Sequence, residues 1–310
     1  MSAPAIRTVG LSRWYGEVQG LAGLDVEIEQ GVVGLLGPNG SGKSTLMRLL
    51  TGQIHASRGH VEIFGERMVP GQYKSFRVVG HAPGEDIHFE GEKAVDFLRL
   101  LARLGGDGPT QARDRADKAL DRVRMSEKAD VRLKEMSKGM RQRIKVGQAL
   151  LFDPPLLLLD EPLNGMDPLS RRATLDLVRD YGQTGRTVLL ASHVLHEVDA
   201  ITDHLILLHH GRLLAEGRLS DIRELIDQKP RRATLRGKGL TRLAARLLEA
   251  GRLSGLTLEG DDRLHLDTND LAGLLQELQA VGAAGDIDDL TTDDQHLESV
   301  YDLLVGESPR

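Results

Sequence analysis

Apolar positions change their period several times along the chain, and each change predicts a different element. From 5 to 35 the runs are short and partly alternating: AIRTVGL (5–11), VQGLAGLDVEIEQG (18–31) and VVGLLG (32–37) read as strands. GHVEIFG (59–65) reads as another strand between glycines. From about Lys93 to Phe152 the period lengthens. KAVDFLRLLARLGG and RADKALDRVRMSE place apolar residues three and four apart, the spacing of one helix face, and Pro154 and Pro155 close that segment. Strand LLLLD (156–160), helix LSRRATLDLVRDYG (169–182), strand RTVLLAS (186–192), helix VLHEVDAITD (194–203) and strand HLILLHHG (204–211) then follow in order. This alternation predicts an α/β domain with a mostly parallel sheet, preceded by an antiparallel β region and interrupted by a helical subdomain at about 88–153.

After Gly217 the pattern changes again. ATLRGKG, LTRLAARLLEAG, LTLEGDDRLHLDT as a hairpin, DLAGLLQELQAVG and GDIDDL run strand–helix–strand–strand–helix–strand. That order predicts a small C-terminal α+β domain of ferredoxin-like type. HLESVYDLLV (296–305) predicts a final helix with one apolar face. The expected division is 1–220 and 221–310, with no internal repeat and no low-complexity stretch.

Composition narrows the function classes. A chain of 310 residues with 40% hydrophobic content can fill two cores, and with 3% aromatics they must be built from Leu, Val, Ile and Ala. The net charge of −6 supplies no basic footprint for nucleic acid. No cysteine is present, which excludes disulfides and thiolate metal sites. The opening MSAPAIRTVG lacks the charged-then-apolar pattern of a secretory signal, and LLLL and LILL are far too short to cross a bilayer. The expectation is a cytoplasmic protein whose membrane contact, if it has any, comes through a partner.

The densest chemistry lies in GPNGSGKST, Gly37 to Thr45. This is a phosphate cradle of the form G-x-x-x-x-G-K-[ST]. Gly37, Gly40 and Gly42 let the backbone turn its N–H groups inward between Pro38, Asn39 and Ser41. Lys43 places a point charge on the β- and γ-phosphates, and Ser44 can offer its hydroxyl to Mg²⁺. The helix that starts near Thr45 adds its dipole. Far downstream, the four leucines of LLLLD read as a buried parallel strand that ends in Asp160, a metal carboxylate, followed by Glu161, a candidate base.

These strings together resemble the ATP-binding subunit of ABC transporters, from about Ile6 to about Gly217. MSKGM (136–140) resembles that family's signature loop in the exporter-type variant, with Lys138 and Met140 in place of Gly and Gln. NGMDP (164–168) resembles the D-loop, with Asp167 its acid. ASH (191–193) resembles the switch-histidine loop, and WYG (14–16) the aromatic loop that stacks on adenine, with Tyr15 a better match than Trp14. The resemblance implies a P-loop NTPase core that hydrolyses ATP with Mg²⁺. Glu161 would be the catalytic base, His193 the γ-phosphate sensor, Ser44 a direct metal ligand and Asp160 a ligand through water. No Asn-Lys-x-Asp string of the kind that reads guanine is present. Family members work as head-to-tail pairs, so the resemblance implies a second copy or a homologous subunit, whose γ-phosphate Ser137 and Gly139 would meet. It also implies a separate transmembrane permease, peripheral membrane association through that partner, and recognition of the substrate there. The signature variant and the C-terminal extension favour export. The rival readings are a soluble ABC ATPase without a transport role, against which stand a single motif set and no sustained heptads, and a low-turnover regulatory module.

One position departs from the family. A Gln usually follows the proline in the loop before the helical region, but in VVGHAPGEDIHF (78–89) Gly84 follows Pro83. Either Glu85 or Asp86 supplies a substitute contact, or the loss is tolerated because Ser44 and Asp160 suffice, or coupling to the partner is weakened. Other tempting groups have plainer readings. His193, His196 and Glu197 lack the zinc order H-E-x-x-H and read as switch and solvated helix. His209 and His210 read as turn residues. Asp286, Asp288, Asp289, Asp293 and Asp294 lack the glycine and closing glutamate of a calcium loop and read as a solvated acidic edge. Arg231 and Arg232 are too isolated for a nucleic-acid stripe.

Overall fold

The computed structural model describes residues 3–71, 78–86, 89–222, 231–237, 240–249, 251, 253–260, 262–268, 270–282 and 287–292. The helix expected over 296–305 lies outside them, as do Asp286, Asp293 and Asp294. The chain divides into two compact units, Met1–Leu219 and Ser220–Arg310.

The first unit opens with β1 (Ile6–Tyr15), β2 (Val18–Ile28), β3 (Gly31–Leu36), α1 (Lys43–Leu50), β4 (Arg58–Ile63) and β5 (Glu66–Arg67). It continues through β6 (Val79–Ala82), α2 (Ala94–Leu104), α3 (Pro109–Arg122), α4 (Lys138–Ala149), β7 (Leu156–Asp160), α5 (Pro168–Gln183), β8 (Thr187–Ser192), α6 (Leu195–Asp199), β9 (His204–His209) and β10 (Arg212–Arg218). The antiparallel strands form one sheet in the order β2-β1-β4-β5. The second sheet runs β10-β9-β3-β8-β7-β6, parallel throughout except for the antiparallel edge strand β10. Every residue of β7 and β8 is buried, as strands covered on both faces require. One core runs between the two sheets through Ile6, Leu24, Leu35, Leu46, Leu158 and Leu189.

Two strands of this unit are hard to read from the chain. β6 is four residues, VGHA, and pairs in parallel with β7. Its Gly80 is required by close approach, because a Cβ there would come within 2.0 Å of the Ala149 carbonyl at the end of α4. β10 is a half-exposed edge strand with a glycine in it. The helix expected over 194–203 is shorter than its apolar pattern suggests and spans only Leu195–Asp199. Beyond it the Thr202 hydroxyl donates to the Val32 carbonyl at 2.5 Å and accepts from the His204 N–H at 3.0 Å, which turns the chain into β9.

The second unit comprises β11 (Arg231–Gly237), α7 (Leu240–Glu249), β12 (Leu253–Glu259), β13 (Arg263–Thr268), α8 (Leu271–Gly282) and β14 (Ile287–Thr292). Its sheet is antiparallel in the order β12-β13-β11-β14. Leu235, Leu264 and Leu266 from the sheet and Leu243, Leu247, Leu274 and Leu278 from the helices make its core. An α/β unit with a mostly parallel sheet, followed in the chain by a small α+β unit, is what the periodicity implied.

Candidate active site

The cradle joins the end of β3 to the start of α1, at the carboxyl edge of the parallel sheet, where such folds place their ligands. Gly40 and Gly42 hold φ of +83° and +108°, a region that side chains avoid. Gly37 and Gly42 are crowded as well: a Cβ on Gly37 would come within 2.2 Å of Ser41 Oγ and 2.6 Å of the Leu208 carbonyl, and one on Gly42 within 2.7 Å of the Gly20 carbonyl. The loop is thereby folded back on itself, and the Ser41 N–H donates to the Pro38 carbonyl at 3.1 Å. Asn39 and Ser44 are exposed, Pro38 and Thr45 half-buried, and Ser41 is buried with a hydroxyl that has no partner.

Lys43 reaches back across this loop. Its Nζ donates to the Gly37 carbonyl at 2.6 Å and the Pro38 carbonyl at 3.2 Å, and lies 3.7 Å from Glu161 Oε1. Burial holds its pKa below the usual lysine range, against the pull of Glu161 and Asp160. Asp160 closes β7 and is 5% exposed, with Oδ1 buried and unpartnered. Burial pushes its carboxyl above the usual range, while a hydrogen bond from Ser44 pulls the other way. Two carboxylates and an ammonium are thus held together in a half-dry site.

Glu161 occupies the left-handed region with φ of +49°, unusual for a residue with a side chain. Its N–H donates to the Ala191 carbonyl at 3.0 Å, and its own carbonyl accepts from Gln142 Nε2 at 2.7 Å and from the Asn164 N–H at 3.3 Å. With the backbone so turned, the carboxylate meets His193 Nδ1 at 2.9 Å. The encounter follows from register: Asp160 pairs with Ala191 across β7 and β8, so the residues just beyond both strand ends emerge side by side. The histidine loop has its own support. Ser192 Oγ donates to Glu197 Oε2 at 3.0 Å and accepts from the Val194 N–H at 3.0 Å, while Arg171 from α5 pairs with Glu197 at 3.1 Å. Glu197 is therefore committed to fixing this loop.

Tyr15 lies beside the cradle. The position of a Cβ on Gly20 is 2.9 Å from the Tyr15 ring and 3.2 Å from Thr45 Oγ1. The Arg13 guanidinium stacks on the same ring, 4.8 Å from its centre, and donates to the His55 carbonyl at 2.9 Å.

Ser137, Lys138, Gly139 and Met140 form a second group together with Asn164 and Gly165. Ser137 caps α4 by accepting from the Met140 N–H at 3.2 Å. Gly139 is required by packing, since a Cβ would lie 2.7 Å from the Gly165 carbonyl. Lys138 turns toward the same loop and donates to Asn164 Oδ1 at 3.3 Å. Asp167 caps α5 through the Ser170 N–H at 2.9 Å and hydroxyl at 2.6 Å, bonds that hold its carboxyl below the usual range.

The loop at Gly84 differs from both substitutions considered for it. The Glu85 carboxylate pairs with Arg48 of α1. Asp86 accepts two bonds from Arg141 of α4, at 3.0 and 2.9 Å. Neither acid is free to serve as a metal contact. Gly84 itself lies against the Asp160 carboxylate, with its Cβ position 3.2 Å from Asp160 Oδ2.

Known proteins share this arrangement. The family described as "ABC transporter" matches residues 21–164. A daunorubicin resistance ATP-binding protein of Streptomyces coeruleorubidus is 32% identical over all of this chain and 98% of its own length. A daunorubicin/doxorubicin resistance ATP-binding protein of Streptomyces peucetius is 34% identical over 83% of this chain and 78% of its own. A Nod factor export ATP-binding protein I of Cupriavidus metallidurans is 34% identical over 69% of this chain and 70% of its own. Among solved structures, an ATP-binding subunit of an ABC transporter superposes with a TM-score of 0.65 at 29% identity, covering 79% of this chain and 99% of the other. A nucleotide-free ATP-binding cassette shares the fold, with a TM-score of 0.63 at 24% identity. Likeness over the whole length of a curated relative, joined to a phosphate cradle facing a buried aspartate and a glutamate–histidine pair, makes the chain a member of the ABC transporter ATP-binding family, a nucleotide-binding ATPase that powers a transporter.

Proposed function

We propose that this ATPase drives export through a separate membrane-spanning permease, as one half of a head-to-tail pair with a second copy or a homologous subunit. The observation that carries the reading is the likeness over the whole chain, C-terminal unit included, to a protein named for drug resistance. The relatives named for Nod factor export point the same way. Among the described residues no helix is long and apolar enough to cross a membrane, so a membrane step needs a partner. The order β12-β13-β11-β14 supports a ferredoxin-like reading of the C-terminal unit.

In the proposed mechanism the cradle amides and Lys43 hold the triphosphate, and Tyr15 offers a face to the adenine. Glu161 accepts a proton from the attacking water as its oxygen bonds to the γ-phosphorus and the bond to the β–γ bridging oxygen breaks, leaving ADP. His193, bonded to that carboxylate, orients it and contacts the γ-phosphate. Ser137 and Gly139 serve the nucleotide bound by the other subunit. The residues at hand fit Mg²⁺: Asp160 Oδ1 is buried without a partner, burial disfavours its charge, and Ser44 is bonded to the same carboxylate. Ser44 and Asp160 would hold the ion, which supplies charge neutralisation to the phosphates.

The test is affinity purification from detergent-solubilised native membranes with tagged Glu161→Gln protein and ATP, which favour the closed pair. Recovery of a multi-spanning membrane protein, absent with Lys43→Ala, is the expected result. Recovery only of soluble partners, ribosomes or DNA would refute the transport role and leave the ATPase in place.

A further inference from the structure

Lys145 lies in the middle of α4 and is 2% exposed, among the most deeply buried large side chains of the described chain. A buried ammonium is costly unless all its protons are bonded. Here its three N–H groups face three consecutive carbonyls, those of Pro83 at 2.9 Å, Gly84 at 3.4 Å and Glu85 at 2.8 Å. Among the described residues no carboxylate bonds it directly, and burial lowers its pKa. An apolar side chain would fill the same space without that cost. The three carbonyls belong to the loop in which Gly84 lies against Asp160, and the loop's side chains are tied down as well, Glu85 to Arg48 and Asp86 to Arg141. Gly84 has no side chain with which to reach the metal site. Its backbone instead carries the bonds from Lys145.

We propose that Lys145 is a positioning residue for ATP hydrolysis: by holding the carbonyls of residues 83–85 it presses the loop onto Asp160 and locks that carboxylate to the helix that begins at Ser137. The link a side chain at position 84 would have provided is here made from the opposite side, from α4 into the loop backbone. A shift of α4 is thereby carried to Asp160 through backbone alone.

The inference rests on Asp160 serving the metal, and the experiment separates the two. Lys145→Met, Lys145→Arg and Asp160→Asn are compared with wild type in the full chain. Three quantities are read: melting temperature, affinity for a fluorescent ATP analogue with EDTA or Mg²⁺, and the Mg²⁺ concentration for half-maximal phosphate release. Lys145→Met is expected to bind the analogue in EDTA like wild type, to lose most of the Mg²⁺-dependent gain in affinity, and to need roughly 10-fold more Mg²⁺, the usual cost of losing an outer-shell partner. Lys145→Arg, which keeps donors and charge, is expected to recover much of that loss. A role in packing alone predicts the reverse order, because Arg is the larger intruder and Met the better filler. A Met variant with wild-type Mg²⁺ response, or one that outperforms the Arg variant, overturns the proposal. Should Lys145→Met fail to fold, Lys145→Gln takes its place, a shorter side chain with one amide for the three bonds, and a wild-type Mg²⁺ response there overturns the proposal equally. If Asp160→Asn alone keeps the wild-type response, the metal assignment falls and this proposal with it. If Asp160→Asn loses the response and Lys145→Met keeps it, only the proposal for Lys145 falls.

Discussion

Replacing Gln142 by leucine separates the strained backbone of Glu161 from the carboxylate it carries. Gln142 is 3% exposed and gives its amide to the Glu161 carbonyl at 2.7 Å. A residue with a side chain at φ of +49° sits about 1–3 kcal/mol above an ordinary conformation and persists only where neighbours hold it. Leucine fills nearly the same volume and donates nothing. The carbonyl would keep the Asn164 N–H at 3.3 Å, so the loss in stability is that of one hydrogen bond, about 1 kcal/mol. For a unit of this size that lowers the melting temperature by about 2–4 °C. The kinetic effect is larger, because the bond constrains where the carboxylate points. A misplacement of about 1 Å costs about 100-fold, and partial release of a backbone still held by Ala191 and Asn164 predicts a fall in kcat of about 10-fold. KM for ATP is expected to stay within about twofold, since the cradle and Lys43 are untouched. Phosphate release at saturating ATP, alongside a thermal melt, measures both. A variant that loses the expected stability yet keeps wild-type kcat would refute the claim that this bond aims Glu161.

Three further outcomes follow from the same geometry. Gly139→Ala places a methyl group 2.7 Å from the Gly165 carbonyl and 3.0 Å from Met166 Cα, both backbone; a loss of about 1–3 kcal/mol in denaturant titration is expected, with ATP affinity unchanged, and wild-type stability would show that the loop yields freely. Gly84→Gln brings a Cβ to 3.2 Å from Asp160 Oδ2, so restoring the family residue is expected to lower the ATPase rate by displacing that carboxylate; a faster enzyme would contradict this. His81 is held down to about 4 by burial, then by Lys145 and Arg48. A depressed histidine favours the fold fully above its unfolded value of about 6.5 and loses that contribution as pH falls toward 4, up to about 3 kcal/mol. His81→Gln is expected to flatten the acid side of the stability curve, and an unchanged slope between pH 7 and 4 would exclude His81 as its source.

Much of this was legible because it is local. The cradle is one contiguous string whose glycines declare the backbone they need, and the leucines of β7 announce a strand covered on both faces. The pairing of Glu161 with His193, 32 residues apart, needed the parallel register of β7 and β8. Family resemblance gives each of the two residues a role in the sequence but not the contact between them. β6 was not legible at all: VGHA holds a glycine and a histidine, and it is a strand because β7 lies beside it and Gly80 admits the end of α4. Gln142 and Lys145 were overlooked for the opposite reason. In KGMRQRIKVGQA polar residues outnumber apolar ones, yet these two stand on the buried side of the helix. Their signal was present as polar residues intruding where helical periodicity calls for apolar ones.

That intrusion gives α4 its place in the site. Gln142, Lys145 and Gln148 stand three residues apart on one side of the helix, and each donates to a backbone carbonyl: Glu161 at 2.7 Å, residues 83–85, and His81 at 3.3 Å. The acceptors lie at the ends of β6 and β7, where Asp160 and Glu161, the proposed metal ligand and base, emerge. At the helix's own N-terminus stand Ser137, Lys138 and Gly139, packed on the loop that leads to Asp167. A helix of 12 residues moves as a unit, so a displacement at its N-terminus reaches all five carbonyls at once. Each bond is worth about 1 kcal/mol, so the five together are enough to supply the roughly 1–3 kcal/mol that couples distant sites. An apolar stripe would have packed as well but would slide, since dispersion contacts have no fixed direction. Hydrogen bonds to carbonyls fix the register, and register is what an element needs if contact at one end is to align Glu161 and Asp160 at the other.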